Sequence, residues 1–324
     1  MPRVLDLDPS TYERHRIHTG DRLWGETNCY TDVVIELLHG MGFEPLAACP
    51  FAFTLDFDVD QWTFFKVPTH DVERLFGVGF HELAPWKPLA VHLAENVEAG
   101  RPVLVELDSY YLPDTHGTAY RLANVKSTVA VNAIDLDARR MGYFHNQGYH
   151  HLSGEDFTQV LQTEGLVHPR MLPPYIEFVK RVPGATPPRG PALLDASLHV
   201  LREQLARVPE ANPFLAFRAR LERDTEWLMA QEFEAFHTYS FATTRQMGAG
   251  YELAATYLRW LAENDVEAAE PAIPLYDELT TSAKDLQLRI ARAMRRKKPF
   301  DLDPLDRLAD VWARGVDHLR RHFG

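Results

Sequence analysis

The sequence predicts an α+β first half followed by an all-helical second half. Three observations carry this reading. Short β-branched and alternating runs lie between residues 103 and 146. From Ala192 onward, apolar residues recur at helical spacing between prolines. A run from Pro183 to Pro191 (Pro183-Gly184-Ala185-Thr186-Pro187-Pro188-Arg189-Gly190-Pro191), preceded by Leu172-Pro173-Pro174-Tyr175, reads as a connector, because proline removes donors and fixes φ. The expected domains are 1–182, α+β with a small antiparallel sheet, and 192–324, a helical bundle.

Composition bounds the chemistry. The 324 residues are 45% hydrophobic and 25% charged, which are globular values. Two cysteines supply neither a disulfide framework nor a zinc ligand set, so a reducing cytoplasm is expected. A net charge of −12 argues against nonspecific nucleic-acid binding, though not against a local basic patch. No apolar run approaches a bilayer span, and Met1-Pro2-Arg3-Val4-Leu5-Asp6 lacks a signal-peptide apolar region. There is no glycine-rich phosphate loop or internal repeat, and no cofactor or metal is expected.

Taken in order, residues 1 to 25 read as an irregular opening segment. A helix follows. Thr27 and Asn28 are good N-cap types, Val33, Val34, Leu37, Leu38 and Met41 recur at helical spacing, and Gly40 or Gly42 stops it. Cys29 falls in its first turn, where the helix dipole favours thiolate. The alternative is a small buried hydrophobe. Cys49, in Ala47-Ala48-Cys49-Pro50-Phe51, reads as structural. Alternation between Phe43 and Val67 suggests one or two strands, with Asp56, Asp58 and Asp60 as a solvated turn rather than a calcium loop.

Residues 69 to 99 carry two helical signals, and Arg101 to Asp108 is a strand feeding a polar loop, Ser109 to Gly117. Thr128 to Ile134 and Met141 to Asn146 form a β-hairpin, and Ser153-Gly154-Glu155-Asp156-Phe157 starts another short helix.

Over about residues 20 to 160 this order resembles a papain-like cysteine fold, in the compact form of bacteriocin-processing peptidases and the butirosin-pathway acyltransferase. The resemblance implies Cys29 as nucleophile and Asn146 as the residue that orients the base. Asp108, Tyr110, Tyr111, Leu112 and Pro113 match the acyltransferase's Asp-x-Tyr-Tyr-Leu-Pro segment. That fold expects a histidine at the head of the 128–134 strand, where this chain has Asn124, Val125, Lys126, Ser127 and Thr128. Lys126, His116 or His145 would then have to serve as base, or the site would orient an already activated ester without covalent chemistry. His145 with His150 and His151 could also be a surface cluster, and a metal site there is disfavoured. More specifically, the chain resembles a bacterial family of unknown function, through Glu26-Thr27-Asn28-Cys29, Asp60-Gln61-Trp62-Thr63-Phe64-Phe65-Lys66, Leu112-Pro113-Asp114-Thr115 and Gly142-Tyr143-Phe144-His145-Asn146.

In the second half, helices are expected at about 192–207, 213–235, 236–263, 272–297 and 304–322. Along 236–263, His237, Phe241, Arg245, Gly248 and Glu252 share one face, opposite Tyr239, Thr243, Leu253, Tyr257, Trp260 and Leu261. That face would line a substrate cleft, or would hold an Arg245–Glu252 surface pair beside a chance histidine. Arg292, Arg295, Arg296, Lys297 and Lys298 are either favourable charge at a helix C-terminus or a phosphate dock.

The function expected from the resemblance is an acyltransferase. It would move an aminoacyl group from a carrier-protein thioester or an aminoacyl-tRNA to a small amine-type acceptor. Cys29, Lys126, His145 and Asn146 would be catalytic. Glu26, Asn28, Asp108, Tyr110, His116, His237, Arg245 and Glu252 would bind substrate, and Arg295, Arg296, Lys297 and Lys298 would dock the donor. The alternatives are a thioester or amide hydrolase and a non-catalytic binding protein on a decayed papain-like fold.

Overall fold

The computed structural model describes residues 1–20, 22–163 and 174–324, so Leu172 and Pro173 of the expected connector lie outside the described residues. Its contacts divide the chain into two discontinuous units. The first comprises Met1–Thr19, Asn28–Pro45 and Thr69–Pro187; the second comprises Gly20–Thr27, Leu46–Pro68 and Pro188–Gly324. Two stretches read as part of the first half, 20–27 and 46–68, thus fold with the helices.

The first unit is α+β. Its helices are α1 (Cys29–Gly40), α2 (Thr69–Phe76), α3 (Leu89–Glu98) and α4 (Gly154–Leu161). Its strands are β1 (Val78–Glu82), β2 (Val103–Asp108), β3 (Lys126–Asp135), β4 (Arg140–His145), β5 (Gly148–Ser153) and β6 (Ile176–Arg181). They form one sheet in the order β1-β6-β2-β3-β4-β5, with every neighbouring pair antiparallel. The expected hairpin is β3–β4, pairing Val129 with His145 and Val131 with Tyr143.

Both faces of the central strands are covered, so β3 is buried from Ser127 to Ile134 rather than alternating with solvent. On one face, Val129, Val131 and Tyr143 join a core with Ala90, Leu93 and Val97 of α3 and Phe157 of α4. On the other, α1 comes so close that a Cβ on Gly40 would lie 2.9 Å from the Phe144 ring. Asn132, fully buried on β3, accepts from the Leu5 amide (2.8 Å) and donates to the Leu5 carbonyl and the Tyr149 hydroxyl, both at 3.0 Å. A Cβ on Gly142 would stand 2.3 Å from that Tyr149 oxygen. Gly142→Ala is therefore expected to push Tyr149 off Asn132 and destabilise the protein by about 1–3 kcal/mol. An unshifted denaturant midpoint would contradict this.

α1 also carries a buried ionic network. Asp32 and Glu36 lie on the same helix face as Cys29, and neither side chain has any exposure. His18 bridges them, through Nε2 to Asp32 at 3.2 Å and through Nδ1 to Glu36. The Tyr12 hydroxyl (2.5 Å) and the His15 amide (3.0 Å) also donate to Glu36.

The second unit is helical, with α5 (Pro191–Leu205), α6 (Pro213–Ala230), α7 (Glu234–Ser240), α8 (Gln246–Glu263), α9 (Ile273–Arg296) and α10 (Asp303–Phe323). Proline stands in the first turn of α5, α6, α9 and α10, where its missing donor costs nothing. The expected helix over 236–263 is interrupted by a π-helical turn, Phe241–Arg245.

The strands expected between Phe43 and Val67 are mostly absent. Pro45–Thr54 forms a 3-10 helix instead, and only Phe57–Asp58 pairs with Gln61–Trp62. The reason is burial: Leu46, Ala47, Cys49, Phe51, Ala52 and Phe53 are all interior, so the aromatic spacing did not mark one face of a sheet. Cys49 is structural, with 1% exposure. Trp62, Phe214, Phe217 and Tyr251 form an aromatic core with ring centroids 5.1–5.9 Å apart around the tryptophan. Gly248 makes room for Trp24, whose indole would lie 2.3 Å from a Cβ there.

Candidate active site

Cys29 is the first residue of α1, and Asn28 caps the helix by accepting from the Thr31 amide at 2.9 Å. The sulfur is half-buried and its recorded side-chain partner is the Thr128 hydroxyl at the head of β3, 3.8 Å away. Thr128 thus stands where a papain-like fold would have its base, and a threonine hydroxyl cannot take a thiol proton at neutral pH.

Of the residues read as possible bases for Cys29, Lys126 and His145 pair with other groups. Lys126 is 63% exposed and pairs with Glu106 at 2.8 Å across β2 and β3. His116 is an exposed residue ending the 3-10 turn Pro113–Thr115. His145 belongs to the opposite sheet face from Thr128: it is registered with Val129, and side chains alternate along a strand. Asn146 lies beyond β4, in the left-handed turn to β5 with φ 47°.

On that opposite face the structure assembles a different set. Nε2 of His145 lies 2.7 Å from the Ser127 hydroxyl, and its Nδ1 lies 2.5 Å from Oδ2 of Asp114. With the proton on Nδ1, the ring donates to Asp114 and accepts from Ser127. The Tyr143 hydroxyl donates to the other Asp114 oxygen at 2.5 Å. Serine, histidine and aspartate so ordered match the nucleophile, base and orienting acid of acyl-transfer enzymes on several unrelated folds.

Local structure fixes each member. Ser127 is the second residue of β3, while Tyr143 and His145 sit two apart on β4 and so share a face. Asp114 occupies the turn that Pro113 opens, and the Thr115 hydroxyl donates to the carbonyls of Ser109 (3.0 Å) and Leu112 (2.9 Å) to hold that turn. Burial works to raise the Asp114 carboxyl, but hydrogen bonds from His145 and Tyr143 and the positive charge of the imidazoles outweigh it. The carboxyl is held below its ordinary value of 3.8 and stays ionised. Burial holds neighbouring His150 below its ordinary 6.5. Burial, the Asp114 charge and the Asp114 hydrogen bond push Tyr143 well above the usual phenol range, so it remains a donor.

Ser127 is 8% exposed, and it is the first covered residue after a stretch, 121–126, that is exposed throughout. Leu122 and Val125 in that stretch are 68% and 50% exposed.

Most of the other expected site residues have structural partners. Asp108 caps the turn Ser109–Tyr111, accepting from the Tyr110 amide (3.0 Å) and the Asn124 side chain (2.5 Å). Tyr110 is half-buried, with the Arg121 guanidinium 5.6 Å from its ring centre. In the second unit, Glu26 pairs with Arg245 at 2.9 Å. Glu252 accepts from the Leu23 amide (2.7 Å), the Trp24 amide (3.1 Å) and Arg22 (3.2 Å), so the expected Arg245–Glu252 pair is replaced by two others. His237 is exposed, edge-on to Phe233 and Phe236 at 5.6 and 5.5 Å. Arg295, Arg296, Lys297 and Lys298 are exposed around the C-terminus of α9. Arg295 covers the Phe233 ring at 4.4 Å, and Lys297 donates to the Gln231 carbonyl.

Among the described residues no group of three or more His, Cys, Asp or Glu is placed to hold a metal ion, and no helix is long and apolar enough to cross a membrane. The fold and this site define a two-part α+β and helical protein with a buried Ser-His-Asp relay. The chain belongs to the DUF1839 family, a two-domain family of unknown function: the DUF1839 N-terminal domain matches residues 13–181 and the DUF1839 C-terminal domain residues 190–321. No curated protein matches it.

Proposed function

We propose that this protein is an acyltransferase that moves an aminoacyl group from an activated donor to an amine-type acceptor, with Ser127 as the nucleophile. The observation that carries the reading is the continuous relay from Ser127 through His145 to Asp114, at 2.7 and 2.5 Å. In the first step Ser127 Oγ attacks the donor's carbonyl carbon while His145 Nε2 takes the hydroxyl proton. The C–S bond of a thioester, or the C–O bond of an aminoacyl ester, then breaks, and His145 returns the proton to the departing sulfur or oxygen. In the second step the acceptor amine attacks the acyl-serine, His145 takes its proton, and Ser127 leaves with that proton as the amide forms. Asp114 stabilises the transient imidazolium and fixes its tautomer.

The donor is a carrier-protein thioester or an aminoacyl-tRNA. Arg296 and Lys298, exposed at the end of α9, offer contacts for the phosphate either donor carries.

A second reading keeps the papain-like fold with Cys29 as the reactive or positioning group. Supporting it are the helix-tip position of the sulfur, the Asn28 cap and its placement against the head of β3. The two readings separate in one assay. Purified protein is given an aminoacyl thioester of N-acetylcysteamine and an amine acceptor, and amide formation above the uncatalysed rate is followed by mass. Loss of transfer in Ser127→Ala with retention in Cys29→Ala supports the relay; the reverse pattern supports Cys29. Absence of both transfer and hydrolysis across a panel of aminoacyl donors would overturn the enzymatic reading.

A further inference from the structure

The second unit contains a cavity of about 450 Å³, within the range of small-molecule sites. Three segments build it: the turn after Phe57–Asp58, which brings Asp60; the solvent side of α6, which brings Arg220, Asp224 and Trp227; and α7 with the π-helical turn, which brings Tyr239 and Thr243. A π turn inserts an extra residue into a helix; such turns are rare and are frequently found at functional sites. Here it follows directly on Tyr239 and carries Ala242 and Thr243 into the lining.

The charges are not equally available. Arg220 holds Asp224 at 2.7 Å, and the Tyr239 hydroxyl donates to the second Asp224 oxygen at 3.2 Å, so that carboxylate is neutralised within the wall. Asp60 lines the cavity from an exposed turn, where Arg220 feels its charge but gives its ion pair to Asp224. Two acids and one arginine leave the lining with one excess negative charge. Trp227 is 53% exposed beside it, an unusual state for the largest apolar side chain. Tyr239, whose hydroxyl is fixed by Asp224, presents the second ring. A carboxylate and two aromatic rings lining one cavity can attract an organic cation together.

We propose that this cavity binds a small organic ammonium, a primary amine on an aromatic or aliphatic body, with Asp60 taking the charge and Trp227 covering the apolar part. The assignment does not depend on the Ser127 relay and holds whether or not acyl transfer is found.

Phenethylamine is a suitable probe, titrated into the full chain by calorimetry or Trp fluorescence. Two controls share its ring: 2-phenylethanol, which is neutral, and 3-phenylpropionate, which is anionic. The amine is expected to bind at least about tenfold more tightly than either control. Asp60→Asn should remove that preference, and Trp227→Ala should weaken the amine and the alcohol alike. Both positions are solvent-exposed, so the variants should fold, as an unchanged far-UV spectrum and melting temperature would show. Equal binding of amine and alcohol, preference for the carboxylate, or binding unaffected by both substitutions would overturn the proposal. So would no detectable binding of phenethylamine.

Discussion

Ser127→Ala should lower acyl transfer by at least about 10³-fold, since removing the nucleophile of a Ser-His-Asp set leaves only binding and templating. His145→Gln should cost a similar factor: glutamine can hold a hydrogen bond to Ser127 but cannot take its proton. The double variant should be no worse than either single one, because members of one proton relay act as a unit. Asp114→Asn should fall between, keeping the shape of the turn but removing the charge that supports the imidazolium. Lys126→Met should leave transfer unchanged, since that ammonium is exposed and spent on Glu106. Additive losses in the double variant would indicate that Ser127 and His145 serve separate purposes, and the relay would lose its meaning.

The second large effect is on stability and comes from the network under α1. Burial opposes charge on His18, yet hydrogen bonds to Asp32 and Glu36 and their negative charge prevail, raising it above its ordinary 6.5. Such a group stabilises the fold fully below its unfolded value, and the contribution is lost as pH rises through the folded one. Unfolding free energy should therefore fall on going upward from about pH 6.5, where His18 begins to lose its proton in the unfolded chain first. His18→Ala leaves two carboxylates buried without their shared partner, at a cost of about 3–5 kcal/mol. Denaturant titrations of both proteins from acid to alkaline pH check this. The variant should be less stable and should lose the His18-dependent slope. A wild-type curve whose His18-dependent part rises across that window would contradict the charged assignment.

Much of the fold could be read from local pattern, and the parts that could not have physical causes. The β3–β4 hairpin was visible because two β-branched or aromatic runs flank Asp135-Leu136-Asp137. The helices after residue 190 were visible because prolines mark their starts. β5 was hidden: Gly148-Tyr149-His150-His151-Leu152-Ser153 carries two histidines, and Tyr149 and Leu152 are its well-buried apolar residues. β6 follows a proline-rich run, and its buried Glu177 breaks the apolar signal while accepting from the Tyr30 and Tyr175 hydroxyls. β1, Val78-Gly79-Phe80-His81-Glu82, is an edge strand of mixed character that exists through its pairing with β6.

The site was less legible than the fold. His145 stands out as a histidine at a strand end, but Ser127 is an ordinary strand residue, and Asp114 is marked only by the stretch Leu112-Pro113-Asp114-Thr115. Their association depends on the β3–β4 register and on a turn that returns across the sheet face, neither of which any local window contains. The period of two did hold one usable signal: Tyr143 and His145 must share a face, so an acid reached by one is reachable by the other.

The most direct measurement is the site of covalent attachment. Protein mixed with an aminoacyl thioester and quenched in acid within one turnover is digested, and the acylated peptide is identified by mass. The relay predicts the acyl mass on Ser127, absent from Ser127→Ala and undiminished in Cys29→Ala. An acyl group on Cys29, or transfer that proceeds at the full rate in Ser127→Ala, would contradict it.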